Sequence, residues 1–406
     1  MDNEDQNSNV ESFFDNSCDV AIDHSSKYLF VVDWYDPVAQ LVKNYLMSFY
    51  PHDQTVELYD LKNRKPFLRR CKQEGVALEN LYKSAIVTVM SRQMKVVDYG
   101  DAKTRSKFET ELSLAFVLIK PDILPKIGDI IEIIQNERFK IIHLKMGLMS
   151  QEAASEFYKE HEGQSFFAEL IKFMTSGPSV AIQIIGENAQ RRWRDLVGPV
   201  DAEVAKREAP HTLRAIYGTD IARNGVHCSK DEEYFVAETE VWFGKRTELN
   251  KRTSYIQPTC VLKDSTCCVI KPHAVTEGTC GKIIKTIVEN GFKITAMELM
   301  TMDTTTAEEF LEVYKGVVPE YSAMVVQFTS GPLLALEVVD TNNPACTQET
   351  FRKLAGPADP DIARKLRPTT LRALFGRTKV QNAIHCTDLP DDAPLEVEYF
   401  FQVLQI

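Results

Sequence analysis

The sequence predicts an α+β protein: two tandem ferredoxin-like α/β sandwiches behind a small, mostly β domain. Three observations predict it: a series of motifs written twice in the same order, strand and helix patterns alternating inside each copy, and short turn-punctuated strands ahead of the first copy. "RNGVHCS" at 223–229 returns as "QNAIHCT" at 381–387, an offset of 158. The Lys-Pro of "FVLIKPD" and "CCVIKPH" repeats at 151, "ERFKI" and "NGFKI" at 153, "TSGP" at 154, and "GPVD"/"GPAD" and "TLRA" at 158. Offsets that grow only between motifs mark two copies of one domain, 113–245 and 264–406, differing by short loop insertions.

The elements follow in order. Residues 1–26 are acidic and rich in Ser and Asn, without the basic start and apolar run of a secretory signal, and read as a disordered tail. In 27–110, "KYLFVVDWYD", "LVKNYLMSFYP", "TVELYDL", "PFLRRC" and "AIVTVMSRQMKVVDYGD" read as short strands separated by turns, with "ALENLYKS" the one helix. In the first copy "LAFVLIK" has strand length, and "KIGDIIEIIQNERF" sets Ile127, Ile130, Ile131 and Ile134 at helical spacing. "KIIHLKMGLM" reads as a strand, then "SQEAASEFYKEH" as a helix with Ser150 as N-cap. Strand "SVAIQII", helix "ENAQRRWRDLVG" ending at Gly198, strand "GVHC" and helix "KDEEYFVAE" complete a sandwich with its helices on one sheet face. Residues 246–263, polar, basic and carrying Pro258, read as a linker.

Bulk properties exclude several classes. At 406 residues the chain suggests two to four domains, and no apolar run approaches the roughly 18 residues of a membrane span, so no membrane partner is expected. A net charge of -11 argues against general nucleic-acid binding. Nine cysteines, an odd count without CxxC pairs, point to a reducing, cytoplasmic setting rather than a disulfide framework or zinc site.

Chemistry concentrates in the repeated motifs. Each copy places a Lys at the end of an apolar strand (Lys120, Lys271), where its ammonium needs water or an anion. Each adds an Arg four residues before Gly-Pro (Arg194, Arg352) and another in "TLR" (Arg214, Arg372), with an Asn ten residues further on (Asn224, Asn382). With the hydroxyl of Ser229 or Thr387, this set of donors suits the oxygens of a polyphosphate. The His three residues past each Asn, His227 and His385, is the one neutral nucleophile near pH 7 in the set. A Glu eleven residues after each, Glu238 and Glu396, is placed to accept the other ring N–H and fix the tautomer.

Both copies resemble nucleoside diphosphate kinases, over nearly all of 113–245 and 264–406. The resemblance implies that His227 takes the γ-phosphoryl of a nucleoside triphosphate and passes it to a nucleoside diphosphate, in ping-pong fashion. Mg²⁺, held by the nucleotide phosphates rather than by protein ligands, would be the cofactor. Lys120, Arg194, Arg214 and Asn224 would contact phosphates and ribose, Tyr158 would neighbour the phosphates and Phe166 would stack on the base. Ser229 and Glu238 would support the His. Lys271, Arg352, Arg372, Asn382 and His385, with Thr387 and Glu396 in support, are the matching set in the second copy.

Departures from the family pattern are also legible. Cys228 and Cys386 follow the His where the family carries Gly, and neither "VGPVD" nor "AGPAD" holds the family's Thr. In copy two the "TSGP" offset carries Tyr158 onto Glu312 and Phe166 onto Glu320, with Leu311, Tyr314 and Tyr321 as nearest alternatives. "KPD" becomes "KPH" at His273, and Arg223 becomes Gln381. Copy one is the expected working site, and the two copies are expected to pair within one chain.

Residues 27–110, with "FVVDWYDP", "FYPHD" and "VVDYGD", resemble the doublet-microtubule domain of ciliary proteins, a PH-like β module. That likeness implies a cytoskeletal setting, at the ciliary axoneme and centrosome, with tubulin, axonemal microtubule proteins or gamma-tubulin complexes as partners. Independently, "LKNRKPFLRRCK" packs six basic residues into 61–72 of an acidic protein, which suits an acidic partner. The expected function is a microtubule-associated nucleoside diphosphate kinase; the alternative is a structural component of doublet microtubules whose kinase domains are mainly scaffolds.

Overall fold

The computed structural model describes residues 27–36, 39–73, 76–83, 85–244 and 256–405. The acidic tail and most of the linker lie outside the described residues. Six strands open the chain: β1 (Tyr28–Asp36), β2 (Leu41–Tyr50), β3 (Thr55–Asp60), β4 (Lys65–Lys72), β5 (Ile86–Val89) and β6 (Arg92–Tyr99). They form an antiparallel sheet of order β4-β3-β2-β1-β6-β5. Alternate residues point to one core, with Phe30, Val32, Tyr45, Met47, Val56 and Leu58 all fully buried, as period-2 patterning requires.

The helix of this domain is not where the sequence suggested. "ALENLYKS" forms only a single 3₁₀ turn, Leu78–Asn80, whereas α1 (Ala102–Glu111) joins the domain to the first copy. Phe108 is the one large apolar residue of α1, so periodicity could not announce it. Its signal is the cap: Asp101 accepts from Thr104 N at 2.6 Å.

The first copy runs β7 (Leu112–Ile119), α2 (Ile127–Asn136), β8 (Lys140–Met149), α3 (Gln151–Phe157), α4 (Phe167–Met174), β9 (Ser179–Glu187), α5 (Ala189–Val197), α6 (Ala202–Glu208), α7 (Leu213–Tyr217), β10 (Val226–Cys228) and α8 (Glu232–Phe243). The short β11 (Ile256–Gln257) then pairs back onto β8. The second copy repeats the plan: β12 (Thr266–Ile270), α9 (Pro272–Thr276), α10 (Cys280–Glu289), β13 (Phe292–Met300), α11 (Thr304–Phe310), α12 (Tyr321–Thr329), β14 (Leu333–Asp340), α13 (Thr347–Ala355), α14 (Pro360–Leu366), α15 (Leu371–Phe375), β15 (Ile384–Cys386) and α16 (Ala393–Phe401).

The strands of both copies share one sheet, order β10-β7-β9-β8-β13-β14-β12-β15. Each half is the antiparallel arrangement of a ferredoxin-like sandwich, with the first strand between the third and fourth. Helices cover both faces rather than one. Ala115, Val117 and Ile119 face α2 and α5, while Phe116 and Leu118 face α3, α4 and α8. The second layer includes α4, which the sequence reading passed over although Phe167, Leu170, Ile171 and Met174 stand at helical spacing.

The copies meet at two levels. At the sheet edge Lys145 of β8 pairs with Glu298 of β13, their side chains 3.4 Å apart. Above it α2 crosses α10 at two glycines. A Cβ on Gly128 would stand 2.5 Å from Lys285 N, and one on Gly281 would stand 2.3 Å from Glu132 N. Only glycine permits backbones that close.

Candidate functional site

In the first copy, β10 pairs with β7 so that His227 lies opposite Leu118, and Lys120 N donates to Gly225 O at 2.9 Å. That pairing brings the "KP" and "NGVH" motifs together from 107 residues apart in the chain. Gly225 turns the chain at φ +74, a left-handed value natural to glycine; Ala383 holds the same place in the second copy at φ +71, a strained conformation.

His227 Nε2 lies 2.7 Å from Glu238 Oε1. The carboxylate's other oxygen accepts from Ser229 Oγ. A carboxylate facing Nε2 places the ring proton there and leaves the lone pair on Nδ1, so α8 sets the tautomer of a histidine on β10. Phe157 and Tyr158 wall the ring, with centroids 5.0 and 5.6 Å from it.

Around the His stands a cationic set, with Lys120 and Arg214 buried and Arg194 exposed. Lys120 Nζ donates to Ala222 O at 2.9 Å and lies 5.7 Å from the Tyr158 ring. Burial, with the Arg214 guanidinium second, pushes its pKa down to about 7. Arg214 donates to Val226 O (3.0 Å) and Gly198 O (2.9 Å), and Arg194 to the backbone carbonyls of Ser229 and Lys230. Asn224 Nδ2 donates to Val200 O at 2.9 Å. Tyr158 Oη and Asn224 Oδ1 are buried with no hydrogen-bond partner among the described residues. Phe166 stands apart, at the N-terminal end of α4, with its ring 5.4 Å from that of His161.

The second copy reproduces the core of this arrangement. His385 Nε2 lies 2.8 Å from Glu396 Oε2, and the same oxygen accepts from Thr387 Oγ1 at 2.9 Å. Lys271 Nζ donates to Val380 O at 2.9 Å, and burial followed by Arg372 lowers its pKa to about 7. Arg372 donates to Gly356 O and Asn382 Nδ2 to Ala358 O, each at 2.9 Å, and Asn382 Oδ1 is again orphaned. Arg352 and His385 join this set around a cavity of about 1030 Å³.

Two positions in this copy correct or extend the sequence reading. The counterpart of Tyr158 is Leu311, not Glu312: both are the buried C-caps of matching helices, α3 and α11, which lie at an offset of 153 because the extra residue enters only after them. Asp388, where the first copy has Lys230, pairs with Arg352 and accepts from Tyr314 Oη at 2.7 Å. The sequence reading also missed Phe157 and Phe310, each with a ring centroid 5.0 Å from its histidine; an aromatic residue at the same helical position of both copies was the available signal. It gave no role to Asp122 either, which accepts from Gly225 N at 3.1 Å and whose carboxyl burial raises. Among the described residues no group of three or more His, Cys, Asp or Glu could hold a metal, and eight cysteines are all free.

Comparison with known proteins matches residues 113–247 and 264–406 to the nucleoside diphosphate kinase family, and 22–110 to the nucleoside diphosphate kinase 7 N-terminal PH domain. The rat protein named nucleoside diphosphate kinase homolog 7 is 44% identical over 94% of this chain and 94% of its own length. A nucleoside diphosphate kinase of Aquifex aeolicus is 41% identical over 31% of this chain and 89% of its own. The solved structure of a halophilic nucleoside diphosphate kinase from Halobacterium salinarum in complex with CDP is 36% identical, covers 33% of this chain and 88% of that one, and has a TM-score of 0.31.

Proposed function

Because the chain belongs to the nucleoside diphosphate kinase family, in a form with two kinase domains behind a PH domain, we propose that it transfers the γ-phosphate of a nucleoside triphosphate to a diphosphate through His227, while held on microtubules by its first domain. The observation that carries the catalytic half is the His227–Glu238 contact of 2.7 Å inside a cationic, partly unsatisfied pocket. Nδ1 attacks the γ-phosphorus, the bond from that phosphorus to the β,γ-bridging oxygen breaks, and the diphosphate leaves with the electron pair. A second diphosphate then attacks through a terminal β-oxygen, and the phosphorus–nitrogen bond breaks to restore the neutral ring. Lys120, Arg194 and Arg214 position the phosphates and neutralise the charge that spreads over them. Tyr158 Oη donates to a phosphate oxygen, and Asn224 Oδ1 accepts from a ribose hydroxyl. Mg²⁺ carried on the nucleotide phosphates would add charge neutralisation there.

Incubation with γ-labelled ATP and Mg²⁺ gives an acid-labile phosphoprotein that surrenders its label to GDP. His227→Ala abolishes most of the label, and a variant that labels like wild type excludes this site.

The microtubule half is supported by charge. Lys62, Arg64, Lys65, Arg69 and Lys72 are exposed on the β3–β4 hairpin and the edge strand β4, and among the described residues none has an ion-pair partner. Microtubules carry an acidic surface that such a patch would meet. Co-sedimentation with microtubules therefore weakens with salt and drops in a Lys62→Glu/Arg64→Glu/Lys65→Glu variant. Binding indifferent to both changes overturns the assignment. A scaffold role without turnover is the second reading, favoured in copy two by Asp388, which occupies Arg352.

A further inference from the structure

In the first copy, Phe166 stands at the start of α4 and Ile221, exposed, in the loop after α7. Arg223 ties the two walls together, reaching Glu169 at 3.0 Å and Asp220 at 2.9 Å. In the second copy the matching helix starts lie at an offset of 154 and the matching loops at 158, which puts Glu320 in the place of Phe166 and Lys379 in the place of Ile221. These two side chains pair, Lys379 Nζ 3.8 Å from Glu320 Oε1, and both line the cavity.

We propose that the second copy is a binding site for a compact polyphosphate, held through its phosphates and without a stacked base. The inner wall keeps what phosphates need: Lys271, Arg352 and Arg372. At the positions that match Phe166 and Ile221 the outer wall carries a charged pair, and the apolar side chains left around the cavity are Val318, Met324, Ile362 and Leu366. A planar ring gains from an aromatic or aliphatic face, whereas covering the Glu320–Lys379 pair removes two charges from water for no new contact. Lys271 supports the same conclusion, since a buried ammonium pushed to a pKa of about 7 is restored by an anion beside it. Asn382 Oδ1, buried and unpartnered, accepts a proton-bearing oxygen, either of a partly protonated phosphate or of a sugar. His273 replaces the acidic Asp122, and among the described residues neither of its ring nitrogens has a hydrogen-bond partner. Asp388 pairs with Arg352 and accepts from Tyr314 Oη, so an anion meets Lys271 and Arg372 first and reaches Arg352 only by displacing this carboxylate.

This reading rests on Phe166 and Ile221 being the base slot of the first copy, and the experiment tests that premise separately. The full chain and its Lys271→Met variant are titrated calorimetrically with pyrophosphate, ADP and phosphoribosyl pyrophosphate. The heat lost in Lys271→Met belongs to the second copy, and what remains belongs to the first. In the second copy ADP binds no tighter than pyrophosphate, whereas in the first ADP wins by about tenfold or more, the range expected of base stacking. A gain for phosphoribosyl pyrophosphate over pyrophosphate identifies a sugar as the donor to Asn382; equality identifies the phosphate. A Glu320→Phe/Lys379→Ile variant, altered at partly exposed positions, raises ADP affinity of the second copy by about tenfold and leaves pyrophosphate binding unchanged. The proposal is overturned if pyrophosphate binding is the same in wild type and Lys271→Met, if the wild-type second copy prefers ADP as the first does, or if the double variant gains nothing. Absence of an ADP preference in the first copy overturns the premise instead.

Discussion

At the scale of single residues the site is built from groups that burial has made uncomfortable. Lys120 is the clearest. In the unfolded chain a lysine keeps its proton to about pH 10.4, whereas in the fold Lys120 releases it near 7. Between those values the unfolded state binds more protons, so stability rises with pH, by at most about 1.4 kcal/mol per unit for this one group. Lys120→Met lacks that contribution and keeps the similar one from Lys271. The stability of wild type relative to Lys120→Met, from urea unfolding, accordingly increases from about pH 7 to about pH 8.5, below the range where buried thiols intervene. A flat difference shows that Lys120 keeps its charge when buried.

At the scale of elements, the α2–α10 crossing is the point of closest backbone approach between the copies. Gly281→Val places a branched side chain where Glu132 N already stands 2.3 Å from the position of a Cβ. Separation of the helices costs about 1–3 kcal/mol, read from denaturant unfolding, against less than about 0.5 kcal/mol for the exposed neighbour Lys282→Ala. Equal effects at the two positions contradict the close crossing. The elements themselves were unequally legible. α2 announced itself through Ile127, Ile130, Ile131 and Ile134, all buried, and α3 through Ser150, whose Oγ accepts from Ala153 N at 3.1 Å. α1 was silent because its packing rests on Phe108, and the second helical layer was misplaced because a sheet buried on both faces leaves no alternation to read.

At the scale of the whole molecule, the two copies form one continuous sheet and one shared core, in which Ile130, Ile131 and Ile134 of α2 lie in the same cluster as Ile283, Ile284 and Ile287 of α10. The first domain is fixed to this body as well. Ile185 of β9 belongs to its core, and Thr88 Oγ1 donates to Thr329 O of the second copy at 2.9 Å. A chain of residues 27–244 thus exposes the isoleucine face of α2 and the edge of β8, and light scattering is expected to show it self-associating more strongly than the full chain of 46.1 kDa at the same concentration. A truncated chain that stays monomeric and soluble contradicts a shared core.

The sequence by itself determined the repeat, the order of elements within it and the residues gathered around His227 and His385, because periodicity and motif spacing are properties of the chain as written. The tertiary structure decided the rest: the sheet edge and helix crossing that join the copies, helices on both faces, Leu311 rather than Glu312 as the counterpart of Tyr158, and the Glu320–Lys379 pair across the second pocket. Each depends on which residues of distant segments come within a few ångströms of one another, and neither offset nor composition carries that distance.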